Sequence, residues 1–583
     1  MSLRDIARHH GLALDYDVPG GGTRPVPDAT LRLILEGLEQ DPEGAPDGPA
    51  AAARMEVPAD TRCHLPASLA EAPGWGIFCQ LYELRSARNW GIGDFADLAT
   101  LARTCGAVGA DFLGINPVHA LFTAAPSHAS PFSPSNRRFL NPLYIAPDLL
   151  GCSRPDLPDT DLVDYVAVAD AKLTALRTAF DAARQDSGLD TFAEDGGEAL
   201  RLHALFETIS TLQGGTGWPS WPEALHDPRG LAVAELAREH AGDVAFHIWL
   251  QWIARTQLAA AQKAATDAGM RLGLYLDLAV GEAQDGSATW SGAAAALPGL
   301  DVGAPPDMFS EQGQNWHLAA PSPTTLRARE FAPFRAMIAA QLRDAGALRI
   351  DHAMALWQLF LIPEGRPASE GTHLRFPMAD MLRVLAEESR ANEAVVIGED
   401  LGFVPEGFQD AMAEARILSY RIVYFEQDAE GFRPASDYPE TALACLSTHD
   451  LPVLANWWRG DDIDRRAEHG LVSTEATVQH REHRARERRD LIAALEVKAD
   501  PESSDLPPVV LDAAHRFIAA TSSILAGVRL ADLTGPEAPT NLPGVTDAYP
   551  NWRPRSPVDV EAIADHPAFA RVTALMRAAR PRP

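Results

Sequence analysis

Two stretches decide the fold: ALRID at Ala347–Asp351 and AVVIGE at Ala394–Glu399. Each is a short apolar run that ends on an acid. Each follows a segment with helical spacing, Thr325–Asp344 and Met378–Ala391 respectively. Apolar runs of this length between helices read as strands buried on both faces, as in a parallel sheet. The same rhythm begins near Trp75. Ile77–Tyr82, Phe112–Ile115 and Leu272–Leu278 come before the two stretches, and Arg421–Phe425, Ala444–Thr448 and Gly527–Leu530 follow them. Eight such strands separated by helical segments predict an α/β chain folded as a (β/α)8 TIM barrel. A doubly wound open sheet is the competing architecture, but the glycines at Gly20–Gly22 follow no strand and fit no phosphate-binding fingerprint.

Outside the barrel, residues 1–70 predict a small N-terminal helical unit and linker, with helices at Leu3–His10 and Ala29–Gln40. Residues 71–583 then form the barrel, with a mainly helical insertion at about 116–265. Asp94 is placed to cap a helix over Asp94–Ala107.

The 583 residues carry 50 Lys and Arg against 80 Asp and Glu, a net charge of −30. An acidic surface of that size argues against nucleic acid or anionic membrane as the partner, because phosphate binding needs clustered cations. No apolar run is long enough for a membrane span. The five cysteines are scattered and form no CxxC pair, so neither a disulfide framework nor a zinc knuckle is indicated. No secretory leader is visible at the start, and the cytoplasm is the expected compartment.

Acids stand at or just past the ends of four predicted strands: Asp277, Asp351, Glu399 and Asp450. In a parallel barrel all strand C-termini open on one face, which holds the active site. Carboxyls gathered there resist joint ionisation unless a metal, a shared proton or basic partners intervene. Arg349, His352 and His449 stand beside them as partners. Glycosidic bond cleavage needs such a pair of carboxyls, one as nucleophile or base and one as proton donor. Divalent-metal chemistry also uses carboxylate clusters, but the basic neighbours suit acids held without metal. Trp316, Trp290 and Trp90 are candidates to pack against sugar rings.

The motifs LRIDH (Leu348–His352), GEDLGFVP (Gly398–Pro405) and STHDLP (Ser447–Pro452) resemble the catalytic segments of the 4-alpha-glucanotransferases, the amylomaltases of glycoside hydrolase family 77. Gln80–Leu98, Ser130–Ile145, Gly273–Gly281, Pro305–Trp316 and Tyr549–Arg553 resemble further family segments. The resemblance implies a barrel with helical insertions and no C-terminal β-domain. It implies Asp351 as nucleophile, Glu399 as acid/base and Asp450 as transition-state stabiliser. Asp277, Arg349, His352 and His449 would line the subsite around the scissile bond. Gln314 and Trp316 would belong to a lid loop at about 300–320, and Asn541 to a loop on the acceptor side. Neither a metal nor an organic cofactor is implied, and the partners would be maltodextrins and other α-glucans. His317 departs from the glycine usual after the lid tryptophan, and the region before the barrel is shorter than in the long bacterial members. The same acids serve an alpha-amylase-like retaining hydrolase, which is the alternative activity.

Overall fold

The computed structural model describes residues 2–18, 21–183, 187–306, 312–545 and 548–582. Its centre is a closed barrel of eight parallel strands. These are β1 (Gly74–Phe78), β2 (Phe112–Gly114), β3 (Gly273–Leu278), β4 (Ala347–Ile350), β5 (Val395–Gly398), β6 (Leu418–Ile422), β7 (Ala442–Cys445) and β8 (Leu525–Arg529). Neighbours in the barrel are neighbours in sequence, with β8 closing onto β1. All eight predicted strands are present, but four are displaced: β7 and β8 each begin two residues before the predicted start, and β1 and β6 end early. β1 ends at Phe78, because Leu81–Glu83 turns into a 3-10 helix in which the Glu83 carboxylate accepts from the Gln80 N–H at 3.2 Å. β6 ends at Ile422, because Val423–Phe425 forms another 3-10 turn.

Aromatic side chains fill the barrel. Phe78, Phe112 and Tyr275 meet with ring centroids 5.2–5.6 Å apart. Glycines face them: a Cβ at Gly527 would overlap the Phe78 ring, and one at Gly76 would overlap Phe112. A Gly527→Ala variant should therefore lose about 1–3 kcal/mol of stability, the usual cost of an overpacked core. Urea denaturation measures this, and an unchanged midpoint would show that the barrel has room to spare.

The helix Phe95–Ala107 starts where expected. Asp94 accepts from the backbone N–H groups of Ala96 and Asp97, and Asp97 returns the bond to the Asp94 N–H. The predicted helix Thr325–Asp344 is two helices, Pro323–Ala328 and Ala332–Leu342, broken at Phe331, whose φ is +58°. The insertion holds helices Tyr165–Ala182, Ser187–Leu212, Leu231–Glu239 and Ala241–Asp267, preceded by a short pairing of His119–Ala120 with Asn136–Leu140. No described residue after Arg529 lies in a strand.

A second sheet was not foreseen. Ala296–Ala304 and Gln314–Pro321, from the β3–β4 connection, pair with Gln358–Pro363 and Thr372–Arg375, from the β4–β5 connection. The four strands are antiparallel and stand over the C-terminal end of the barrel. The N-terminal region lies along their edge: Leu12 bridges Leu374, and the Ala13 N–H donates to the His373 carbonyl at 2.9 Å. This region holds helices Leu3–His9 and Asp28–Gly37. It also holds an unforeseen hairpin of Asp15–Asp17 with Thr23–Pro25, with Gly21 and Gly22 between the strands. Tyr16 anchors it, with its hydroxyl on the Ser369 carbonyl at 2.7 Å and its ring against Phe360.

Candidate active site

Strand register gathers the acids. Arg349 on β4 stands directly across from Asp277 on β3, so both side chains point into the barrel mouth. Two residues further along β4, Asp351 keeps the same direction, because side chains in a strand alternate. Its N–H donates to the Leu278 carbonyl at 3.0 Å, and the Glu399 N–H donates to the Ile350 carbonyl at 3.0 Å. The ladder thus continues past the formal strand ends and sets Asp351 and Glu399 side by side on adjacent strands. Adjacent strands lie about 4.7–4.9 Å apart, close to the roughly 5–5.5 Å between carboxyl groups in retaining glycosidases.

Arg349 holds two of the acids. One guanidinium nitrogen reaches both Asp277 oxygens at 2.7 and 2.8 Å, and the other reaches Asp351 at 2.8 Å. The Tyr420 ring lies beneath, 5.6 Å from the guanidinium carbon. Burial lifts the Asp277 carboxyl to about 6, against the pull of Arg349. Glu399 is pinned by the backbone: the His352 N–H donates to one oxygen at 2.7 Å and the Leu401 N–H to the other at 2.8 Å. His352 makes this contact with φ +47°, a left-handed backbone that turns its N–H onto the Glu399 carboxyl. Burial, reinforced by the charge of Asp351, raises Glu399 to about 7 despite Arg349 and those two N–H groups. Burial lowers the His352 imidazole to about 4, leaving it neutral.

Asp450 follows β7 and comes from the opposite side. Asn541 donates to it at 2.7 Å, and His449 Nε2 lies 3.2 Å away. Desolvation works against its charge, but His449, Asn541 and Arg349 together hold it well below the ordinary carboxylate range. Its side chain is 44% exposed, open to a ligand.

These groups line one cleft of about 2310 Å³, which takes in Arg349, Asp351, His352, Glu399, Asp450 and Asn541. Gln314 and Trp316 line it too; the Trp316 ring meets His352 edge-on at 5.2 Å, and its N–H donates to Gln314 at 3.1 Å. Asp277 and His449 lie a layer lower, around a small cavity beneath the cleft floor. The lid segment Pro305–Trp316 falls partly outside the described residues, at 307–311. Of the other tryptophans proposed for sugar contact, Trp90 is wholly buried and Trp290 packs with Phe206 and Trp221 inside the insertion. Both are core residues. His317 sits at φ +54°, a conformation glycine adopts without strain, and its ring faces Asp301 at 3.4 Å.

Three supporting residues escaped the sequence reading. Arg529, at the end of β8, donates to the carbonyls of Thr448 at 2.6 Å and Leu451 at 2.8 Å, and so shapes the loop carrying Asp450. Arg137 donates to the carbonyls of Ala279 and Val280 and pairs with Glu282, tying the Ser130–Ile145 segment to the end of β3. Phe132 of that segment stacks on His449 at 4.6 Å. A cation within the predicted apolar strand Gly527–Leu530 was the available signal for Arg529; nothing in the sequence alone marked Phe132.

Among the described residues no cluster of His, Cys, Asp and Glu is arranged to hold a metal ion, and no helix is long and apolar enough to cross a membrane.

A family model described as 4-alpha-glucanotransferase, glycoside hydrolase family 77, matches residues 79–559. The 4-alpha-glucanotransferase of Haemophilus influenzae is 36% identical over 521 residues, covering 82% of this chain and 74% of that protein. That of Mycobacterium tuberculosis H37Rv is 36% identical over 527 residues, covering 84% and 72%. The crystal structure of amylomaltase from Corynebacterium glutamicum superposes with a TM-score of 0.85 at 26% identity, covering 98% of this chain and 99% of that one. The Streptococcus agalactiae amylomaltase, solved with acarbose, shares the fold at a TM-score of 0.71 and 19% identity over 87% of this chain and 99% of its own. With its acids assembled at one barrel mouth and most of its length matched, the chain belongs to the 4-alpha-glucanotransferases of glycoside hydrolase family 77.

Proposed function

We propose that the cleft moves segments of α-1,4-glucan from a donor maltodextrin to an acceptor glucan or glucose by retaining double displacement. The observation that carries this is the pair on β4 and β5: Asp351 bonded to Arg349, beside Glu399, whose carboxyl is raised to about 7. In the first step Asp351 attacks the anomeric carbon. The glycosidic C–O bond breaks, and Glu399 gives its proton to the departing 4-oxygen. A glycosyl ester on Asp351 remains. In the second step the 4-hydroxyl of the acceptor gives its proton to Glu399 and attacks the same carbon, and the ester bond breaks. Two inversions restore the α-linkage, and both carboxyls return to their starting states. Asp450, open to the cleft and strongly ionised, grips sugar hydroxyls as the ring flattens. His352, Gln314, Trp316 and Asn541 bind the sugars around the scissile bond. Asp277 and His449 act from beneath, through Arg349 and Asp450.

The same proposal takes residues 1–70 as a unit distinct from the catalytic barrel of residues 71–583, and places the enzyme in the cytoplasm, where its five unpaired cysteines stay reduced.

Maltotriose as sole substrate provides the test. Transfer predicts glucose plus a ladder of longer maltodextrins by chromatography; glucose and maltose alone would make the enzyme a hydrolase. A second prediction follows from Glu399. The first step needs it protonated, and the protonated form is lost as pH rises through about 7. kcat/KM for the donor should fall about tenfold per pH unit above that point. A plateau extending to pH 9 would remove Glu399 as the acid.

A further inference from the structure

The second sheet presents one face to the cleft, and the register of its strands sets a transverse row there. Asn315 pairs with Gly303, Gly303 with Phe360, and Phe360 with His373, so the four residues share that face. All four line the same cleft as the catalytic acids. Two residues before Phe360 on its strand, Gln358 points the same way and lines the cleft as well. The row continues into the N-terminal region through the bond from the Ala13 N–H to the His373 carbonyl, and Asp15 and Asp17 stand exposed at its far edge.

Asn315 is spent within the sheet, donating to Asp301 and accepting from the His317 N–H at 2.8 Å each, but two polar groups on this wall are not. Among the described residues, neither the His373 ring nitrogens nor the Gln358 amide has a hydrogen-bond partner. The His373 ring meets Phe360 edge-on at 5.0 Å, which fixes its orientation. A side chain at Gly303 would run into the Gln314 carbonyl and Ile362, so this close-packed position in the row takes only glycine. A neutral imidazole and a primary amide each offer both a donor and an acceptor, which suits the hydroxyls of a sugar. Such groups left without partners on an otherwise well-bonded wall are what an extended sugar chain would satisfy.

We infer that this wall, centred on His373 and Gln358 and closed by the N-terminal hairpin, is a remote subsite that binds the α-glucan chain beyond the residues around the scissile bond. This rests on the glucan reading above and extends it to chain length. Burial, followed by the nearby His352, keeps His373 neutral by lowering it to about 4, so the subsite works unchanged through the neutral range.

The test compares kcat/KM for maltoheptaose with that for maltotriose. In His373→Ala, and separately in Gln358→Ala, the heptaose-to-triose ratio should fall about fivefold or more, the effect of one lost sugar hydrogen bond. His373→Asn, which keeps a donor and an acceptor, should recover part of it. An unchanged ratio in both alanine variants would overturn the subsite, whether or not overall activity drops. Binding separates this from the transfer reading. Maltoheptaose titrated calorimetrically into Glu399→Gln protein should bind at least fivefold more tightly than into the Glu399→Gln/His373→Ala double variant. Equal binding would overturn the subsite. Failure of the wild type to elongate maltotriose would instead count against transfer and leave the binding comparison standing.

Discussion

Replacing Asp351 with asparagine is expected to abolish transfer and hydrolysis together, lowering kcat on the order of 10⁴-fold or more. The amide keeps the shape and the backbone contacts but cannot form the glycosyl ester. The fold should survive, because Asp351 is more exposed than the other acid bonded to Arg349, with 21% of its side chain open against 7% for Asp277. Product analysis from maltotriose, beside a circular dichroism spectrum of the variant, checks both halves. Residual transfer within about a hundredfold of wild type would exclude Asp351 as nucleophile.

The second large effect belongs to Arg349. Its side chain is 7% exposed and is the cation on which Asp277, Asp351 and Glu399 all depend. An Arg349→Met variant keeps the bulk of the stem and leaves three acids crowded without a counter-charge. Removing one partner from a buried ion pair costs about 3–5 kcal/mol, and urea denaturation should show a loss of that size at neutral pH. The sign with pH is fixed. Without the guanidinium, the folded-state pKa values of Asp277 and Glu399 rise further above their unfolded values. The deficit against wild type opens where the folded variant keeps protons that folded wild type has released, so it grows as pH rises from about 6 through 7 and beyond, and shrinks below about 6. A deficit below about 1 kcal/mol, or one that does not vary with pH, would show that the acids are compensated by something other than Arg349.

The barrel and its acids were legible for one physical reason. A parallel strand buried on both faces must be a short apolar run, and its C-terminal end must open on the functional face, so an acid closing such a run stands out. Asp277, Asp351, Glu399 and Asp450 all do. The pairing of Arg349 with Asp351 also follows from strand alternation. The errors came where an apolar run continued past its strand. Leu81 and Tyr82 extended β1 on paper, although Gln80 and Glu83 turn the chain there. Val423–Phe425 did the same for β6. The second sheet was hidden because its longest strand, Ala296–Ala304, contains Pro298, Gly299 and Gly303 and lacks alternation. Its pairing with Gln358–Pro363 spans a whole barrel unit and leaves no local trace. Trp90 and Trp290 were misplaced because an indole suits a core and a sugar face equally; only burial separates them from Trp316.

The most direct measurement is capture of the covalent intermediate. Glu399→Gln protein, which lacks the acid and base but keeps Asp351, is mixed with an α-maltotriosyl fluoride, whose fluoride departs without a proton. Mass spectrometry of the digested protein should find one maltotriosyl group esterified on the peptide containing Asp351. A glycosylated peptide from elsewhere in the chain, or complete turnover to a β-configured product with no adduct, would contradict the account.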